Sequence, residues 1–166
     1  MKLVILGNGG YSKTLQDVAE QLGYEILAVL DDKDEQHPLD SFQSYVSTPD
    51  VEFIPAFGNN KFRMEWINKL QAAGTALATI IHPSSYVSPK STISSGVVIF
   101  PGAIINTDIT IHRGCIINIG AIVDHGTILE EGVHLAPGAI VKGENRIKSC
   151  TKIESGEVVQ ARQWPV

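Results

Sequence analysis

The chain has 166 residues, a net charge of −5 at neutral pH and an isoelectric point near 5.5, which argues against a large multidomain protein and against a basic surface for nucleic acid. Hydrophobic residues make up 43% of the chain and charged residues 19%, so we expect a folded protein. No apolar run is long enough to span a bilayer, and Gly7 and Asn8 interrupt the first run too early for a signal peptide. We therefore expect a cytoplasmic protein without a membrane partner, in which Cys115 and Cys150 are reduced thiols.

The first half of the chain alternates between strand-like and helix-like segments. Apolar runs typical of strands cover residues 2–6, 26–30, 51–57 and 78–81, and helical spacing covers 14–22 and 62–73. This order predicts a small α/β domain over residues 1–80, with a parallel, Rossmann-like sheet.

The second half of the chain repeats every six residues. Each sixth residue from Val87 to Val159 is Val, Ile or Leu, and Gly follows three residues later at most of these positions. A period of six fits neither a helix nor a flat strand, but it suits a triangular coil in which three hexads make one turn. Residues 18 apart then stack at about the 4.8 Å spacing of neighbouring strands. The repeat predicts a parallel β-helix as the domain of residues 81–166.

Four segments resemble those of the hexapeptide-repeat sugar acetyltransferases, in particular the sialic-acid O-acetyltransferase type and the UDP-4-amino-sugar N-acetyltransferases. They are residues 7–13 and 30–32 after the first two strands, 58–60 after the third, and 118–143 in the repeat. The resemblance implies that the β-helix is left-handed and that the protein is a homotrimer. It also implies acetyl transfer from acetyl-CoA, without a metal, to the amino or hydroxyl group of a nucleotide-linked sugar.

The same resemblance assigns roles in the repeat. His125 matches the general base, Gly143 matches the residue whose N–H stabilises the oxyanion, and His134 matches a position beside the thioester of CoA. The chemistry is consistent, because an imidazole with its ordinary pKa of about 6.5 accepts a proton at neutral pH. The simpler alternative is that both histidines are solvated turn residues.

Related enzymes often carry an acidic residue just after the catalytic histidine, where this chain has Gly126. Three other carboxylates are candidates for orienting the His125 ring. Asp124 precedes it directly, while Asp108 and Glu144 lie 18 residues to either side of Gly126. We rank Asp124 first.

The glycine-rich turn after the first strand is similar to a dinucleotide fingerprint, but Ser12 stands at the third glycine position, so the nicotinamide signal is weak. In the family that the chain resembles, this crevice holds the nucleotide of the sugar substrate. Alternatively, the glycines only permit the tight turn. The matching positions are Gly9, Gly10, Tyr11, Asp31, Asp32 and Gly58.

Glycine-bearing hexads become rare after Gly138, which predicts a short donor site for CoA. Basic side chains in the same region are candidate partners of the CoA phosphates, or else charges on a solvated end. They are Lys142, Arg146, Lys148, Lys152 and Arg162.

Two other classes of protein share features with this sequence. A γ-class carbonic anhydrase has the same helix, but the intervals of 13 and 9 between His112, His125 and His134 do not match its zinc ligands. A non-catalytic relative that binds a nucleotide sugar or only trimerises is the main alternative to an enzyme. Thermal stabilisation by CoA or by UDP-sugars would distinguish the two.

Overall fold

The computed structural model describes all 166 residues and divides them into two compact units, Met1–Ala78 and Thr79–Val166. The first unit contains a four-stranded parallel sheet in the order β2-β1-β3-β4. Its strands are β1 (Lys2–Leu6), β2 (Glu25–Leu30), β3 (Val51–Pro55) and β4 (Ala76–Leu77); its helices are α1 (Gly10–Gln21) and α2 (Asn60–Ala72), with a 3₁₀ helix at Leu39–Tyr45. This architecture confirms the predicted α/β fold of the first half.

Strand β1 is the centre of this unit because its side chains are buried on both faces. Leu3, Val4, Ile5 and Leu6 are fully buried, as expected for the continuous apolar run of a parallel strand covered on two sides. Helix α1 buries Leu15, Val18 and Ala19, which share one face at helical spacing. Neither helix of this unit is long and apolar enough to cross a membrane.

The fourth strand was predicted at residues 78–81, and this prediction is wrong. The sheet ends instead with Ala76–Leu77, and Ile80–Ile81 belongs to the second unit, where it pairs with Val98–Ile99. The physical reason is register: Ile81 lies one hexad before Val87 and 18 residues before Ile99, so the repeat begins one step earlier than the count from Val87.

The second unit is a parallel β-helix of fourteen two-residue strands in three sheets. The sheet orders are β16-β13-β10-β7, β17-β14-β11-β8-β5 and β18-β15-β12-β9-β6, so each strand pairs with the strand 18 residues away. The strands are β5 (Ile80–Ile81), β6 (Tyr86–Val87), β7 (Thr92–Ile93), β8 (Val98–Ile99), β9 (Ile104–Ile105), β10 (Thr110–Ile111), β11 (Ile116–Ile117), β12 (Ile122–Val123), β13 (Ile128–Leu129), β14 (His134–Leu135), β15 (Ile140–Val141), β16 (Arg146–Ile147), β17 (Lys152–Ile153) and β18 (Val158–Val159).

The second residue of each strand is the aliphatic anchor and points into the core. All anchors from Ile99 to Val159 are at most 1% exposed, and Val87 and Ile93 pack against the same core while partly buried. Side chains alternate along a strand, so the first residue of each pair lies on the outer face of its sheet.

The coils continue beyond Gly138 to Val158–Val159, as the hexad repeat predicts, although glycine becomes rare at their corners. Corner glycines such as Gly126 and Gly138 have φ values of 63° and 69°, and Glu144 and Cys150 adopt the same left-handed conformation with φ of 59° and 57°. A non-glycine residue is disfavoured in this conformation, but the buried anchors and the hydrogen bonds to the preceding coil maintain the corner.

Candidate functional site

A crevice of about 530 Å³ lies at the carboxyl ends of β1, β2 and β3, the usual ligand position in an open parallel sheet. All six residues assigned to nucleotide-sugar binding line it: Gly9, Gly10, Tyr11, Asp31, Asp32 and Gly58. Other lining residues were not singled out from the sequence, including Asn8, Phe57 and Phe62.

The two aspartates hold the backbone of the crevice in place. Asp31 accepts the Asn8 N–H at 2.7 Å with Oδ2 and the Lys33 N–H at 3.0 Å with Oδ1. Asp32 accepts the Leu39 N–H at 2.9 Å with Oδ1. Each carboxylate oxygen has two lone pairs, so these bonds leave acceptor capacity for a ligand.

Tyr11 stands in the first turn of α1 and lines the crevice. Burial raises the pKa of the Tyr11 hydroxyl well above its ordinary value, although the charge of Arg63 acts in the opposite direction. Tyr11 is therefore a neutral group, and it does not exchange protons with a ligand near neutral pH.

A second set of residues lies in the β-helix, at the corner that follows β12. The Nδ1 atom of His125 is 3.0 Å from Oδ1 of Asp124, and the His125 side chain is 55% exposed. The same Oδ1 accepts the His125 N–H and the Asn106 Nδ2–H, both at 2.8 Å.

The pKa of Asp124 lies below its ordinary value. The hydrogen bond from the His125 backbone N–H is the largest cause, desolvation opposes it, and the side chains of Asn106 and His125 lower the pKa further. Asp124 is therefore ionised at neutral pH. An ionised acceptor beside Nδ1 favours the tautomer with a proton on Nδ1 and a lone pair on Nε2.

Of the three candidate carboxylates, Asp124 is the one that contacts the His125 ring. Glu144 forms an ion pair with Arg162 instead. Asp108 occupies a corner with a φ of 56°.

Gly143 stacks directly on the His125 ring, one coil further along the helix. A Cβ atom on Gly143 would lie 2.7 Å from Cε1 and 2.9 Å from Nε2 of His125, closer than carbon and nitrogen atoms pack. The Gly143 backbone does not adopt a positive φ. A side chain at this position would therefore displace the imidazole, whereas the backbone conformation itself does not favour glycine.

The N–H of Gly143 is free because of the residue that precedes it. Asn106, Asp124 and Lys142 stack at intervals of 18 residues; Asn106 accepts the Thr107 N–H and Asp124 accepts the His125 N–H, both at 2.8 Å. Lys142 has no side-chain acceptor and donates to Gln160 at 2.7 Å. The Gly143 N–H consequently has no partner within the chain and is available to an oxyanion. Asn106 was missed from the sequence, although its 18-residue interval from Asp124 is a usable signal.

His134 is in a different environment from His125. It is the first residue of β14 and only 8% exposed, with Nε2 3.4 Å from Nδ2 of Asn118.

No group of three or more His, Cys, Asp and Glu side chains converges as metal ligands would.

Three of the basic residues near the C-terminus form ion pairs. Arg146 pairs with Glu130 at 2.7 Å, Lys152 with Glu154 at 2.8 Å, and Arg162 with Glu144. Exposed ion pairs of this kind are weak, about 0–1 kcal/mol, so phosphate groups can compete for these cations.

Residues 2–70 match the PglD N-terminal domain. A curated relative, the UDP-N-acetylbacillosamine N-acetyltransferase of Bacillus subtilis (strain 168), is 32% identical over 105 residues, which cover 57% of this chain and 49% of the relative. The chain thus matches about half the length of that relative.

Solved structures match nearly the whole chain. The acetyltransferase domain of PglB from Neisseria gonorrhoeae FA1090, in complex with acetyl coenzyme A, has a TM-score of 0.89 and 30% identity, covering 97% of this chain and 82% of that one. PerB from Caulobacter crescentus, in complex with CoA and GDP-perosamine, has a TM-score of 0.84 and 27% identity, covering 97% and 89%. These likenesses confirm the predicted fold, an α/β unit followed by a left-handed parallel β-helix.

Proposed function

Because the chain belongs to the hexapeptide-repeat sugar acetyltransferases, as its motifs predicted, we propose that it transfers the acetyl group of acetyl-CoA to an amino group of a nucleotide-linked sugar. The curated relative is named for N-acetylation of a UDP-sugar, and two similar structures contain acetyl coenzyme A or CoA with GDP-perosamine. These names support amine acetylation on a nucleotide-linked substrate.

The observation that carries the proposal is the arrangement of Asp124, His125 and Gly143. Asp124 holds the proton of the imidazole on Nδ1, so Nε2 accepts a proton from the sugar amine as its nitrogen attacks the thioester carbon. The C–N bond forms, the C–S bond breaks, and the CoA thiolate leaves. Gly143 stacks on the same ring, and its unpaired N–H donates to the thioester oxygen as negative charge develops there. His134 contributes to binding at the thioester end of CoA.

The crevice of the N-terminal unit binds the nucleotide part of the acceptor. The first turns of α1 and α2 both line it, and α1 begins without a side-chain cap. Its N–H groups are therefore available to phosphate oxygens, and Asp31 and Asp32 retain acceptor capacity for the N–H groups of a base.

Replacing Gly10 by Val is expected to abolish binding of a UDP-sugar while the protein stays folded. A Cβ on Gly10 meets no atom within 4 Å and φ is not positive, so the new side chain is tolerated by the protein and occupies the crevice. Titration calorimetry with a UDP-sugar in the absence of CoA measures the loss. Unchanged affinity would place the acceptor elsewhere, whereas UDP-sugar binding by a wild type that transfers no acetyl group would favour the non-catalytic alternative.

We further propose that the protein is a homotrimer that closes through the outer face of one β-helix sheet. The first residues of its five strands form an apolar row: Tyr86, Ile104, Ile122, Ile140 and Val158. Tyr86, Ile104 and Val158 are at least 40% exposed, although large contiguous apolar patches on a monomer are unusual. A threefold axis would cover this row in each copy.

Ile122→Glu is expected to convert the trimer into monomers, because a charge in the middle of the row would be buried without a partner. Light scattering measures the mass of the variant. Thr110→Glu, at the equivalent outward position of another sheet, is the matched control and should remain trimeric. A monomeric wild type at assay concentration would contradict the trimer.

A further inference from the structure

Arg63 is a permanently charged side chain inside the N-terminal unit. It lies in the first turn of α2 and is 1% exposed. Its Nη1 donates to the Phe57 carbonyl oxygen at 2.8 Å, and its Nη2 donates to Asn60 Oδ1 at 2.9 Å. A guanidinium is not deprotonated in proteins, so a positive charge is held at this place at every physiological pH.

Phe57 lies in the turn between β3 and α2, and Asn60 is the first residue of α2; this segment forms one wall of the crevice. The Phe57 ring packs against Gly7, where a Cβ would lie only 2.8 Å from Phe57 Cε1. Phe62 packs edge to face on the same ring, with centroids 4.6 Å apart. The hydrogen bonds of Arg63 thus hold the backbone of this wall, and the packing of Gly7 and Phe62 holds the Phe57 ring.

The charged side chains that line the crevice do not by themselves favour a diphosphate, so the positive charge of Arg63 is relevant to binding. Its charged lining side chains are Asp31, Asp32 and Lys33, which together carry one net negative charge and would repel a diphosphate. The charge of Arg63 acts on the Tyr11 hydroxyl in the first turn of α1. Because it is buried, this charge is screened little by salt.

We propose that Arg63 is a positioning residue of the nucleotide crevice: it fixes the Phe57–Asn60 turn and supplies the buried positive charge that makes the crevice prefer a nucleoside diphosphate over the uncharged nucleoside. The inference rests on the proposed nucleotide site and is independent of the catalytic step. A charge role for Arg63 differs from simple support of the fold in one measurable respect. Only the charge role makes binding depend on the phosphates of the ligand.

The test compares the dissociation constants of UDP and uridine by titration calorimetry. In Arg63→Met, which keeps an unbranched apolar stem but removes the charge, we expect UDP to bind at least about 10-fold more weakly and uridine to change less than about 3-fold. Arg63→Lys retains the charge without the planar fork, so it should restore part of the preference for UDP. Lys61→Met, which removes an exposed charge from the first turn of α2, is the matched control. It should change the dissociation constants of UDP and uridine less than about 2-fold.

An equal loss of UDP and uridine binding in a folded Arg63→Met protein would overturn the charge role. If Arg63→Met does not fold, the UDP and uridine affinities of the wild type are measured in 0.5 M salt instead. The preference for UDP should persist if a buried cation causes it, and it should disappear if exposed lysines cause it. A wild type that binds UDP and uridine equally contradicts the inference alone. A wild type that binds neither contradicts the nucleotide site, and with it the proposed function.

Discussion

Replacing His125 by Ala is expected to lower kcat for acetyl transfer by about 10²- to 10⁴-fold with little change in KM for the acceptor. The imidazole accepts a proton in the transition state, when the amine attacks the thioester, and contributes little to the ground-state complex. Steady-state kinetics with acetyl-CoA and a UDP-4-amino-sugar separate the two parameters. This variant removes the imidazole on which Gly143 stacks.

Two further histidine variants make the result specific. His134→Ala should instead raise KM for acetyl-CoA, because His134 is assigned to the thioester end of that substrate. His112→Ala removes a histidine of the same unit that lies beside Glu131, and it should leave both parameters near wild type. Full acetyl transfer by His125→Ala would refute the general-base assignment.

Replacing Gly143 by Ala is expected to lower kcat by about 10- to 100-fold without unfolding the protein. The added methyl group would lie within 3.0 Å of three atoms of the His125 ring, so the ring must move away from the position in which Nε2 and the Gly143 N–H serve one reacting group. The backbone itself tolerates alanine, because φ at this position is not positive. Kinetics together with a thermal melt separate the effect on activity from any effect on stability.

The double variant His125→Ala/Gly143→Ala provides the control. If the methyl group acts only by displacing the imidazole, the double variant should be no slower than His125→Ala alone, since the interaction has already been removed. A further loss comparable to that of Gly143→Ala would show that the methyl group acts independently of His125, for instance on the oxyanion.

The hexad period by itself determined the architecture of the second unit. An aliphatic residue at each sixth position specifies which side chain enters the core, and this is enough to predict coils in which residues 18 apart stack. The same interval places Gly143 over His125, because stacking in a solenoid depends only on the count along the chain. The glycine turns at the ends of the first and third strands likewise predicted a crevice in the first unit.

Three features depend on contacts between residues far apart in the sequence, so only the folded structure reveals them: the partner of the His125 ring, the conformation of the corners without glycine, and the burial of Arg63. Sequence left three carboxylates for His125, and the side-chain geometry selects Asp124, which Asn106 orients from the coil before. Glycine is absent from two corners after Gly138, where Glu144 and Cys150 adopt the left-handed conformation because the core and the coil-to-coil hydrogen bonds outweigh its local cost. Arg63 was overlooked because helical spacing alone does not reveal that a charge is buried, and its burial depends on the packing of α2 against the sheet.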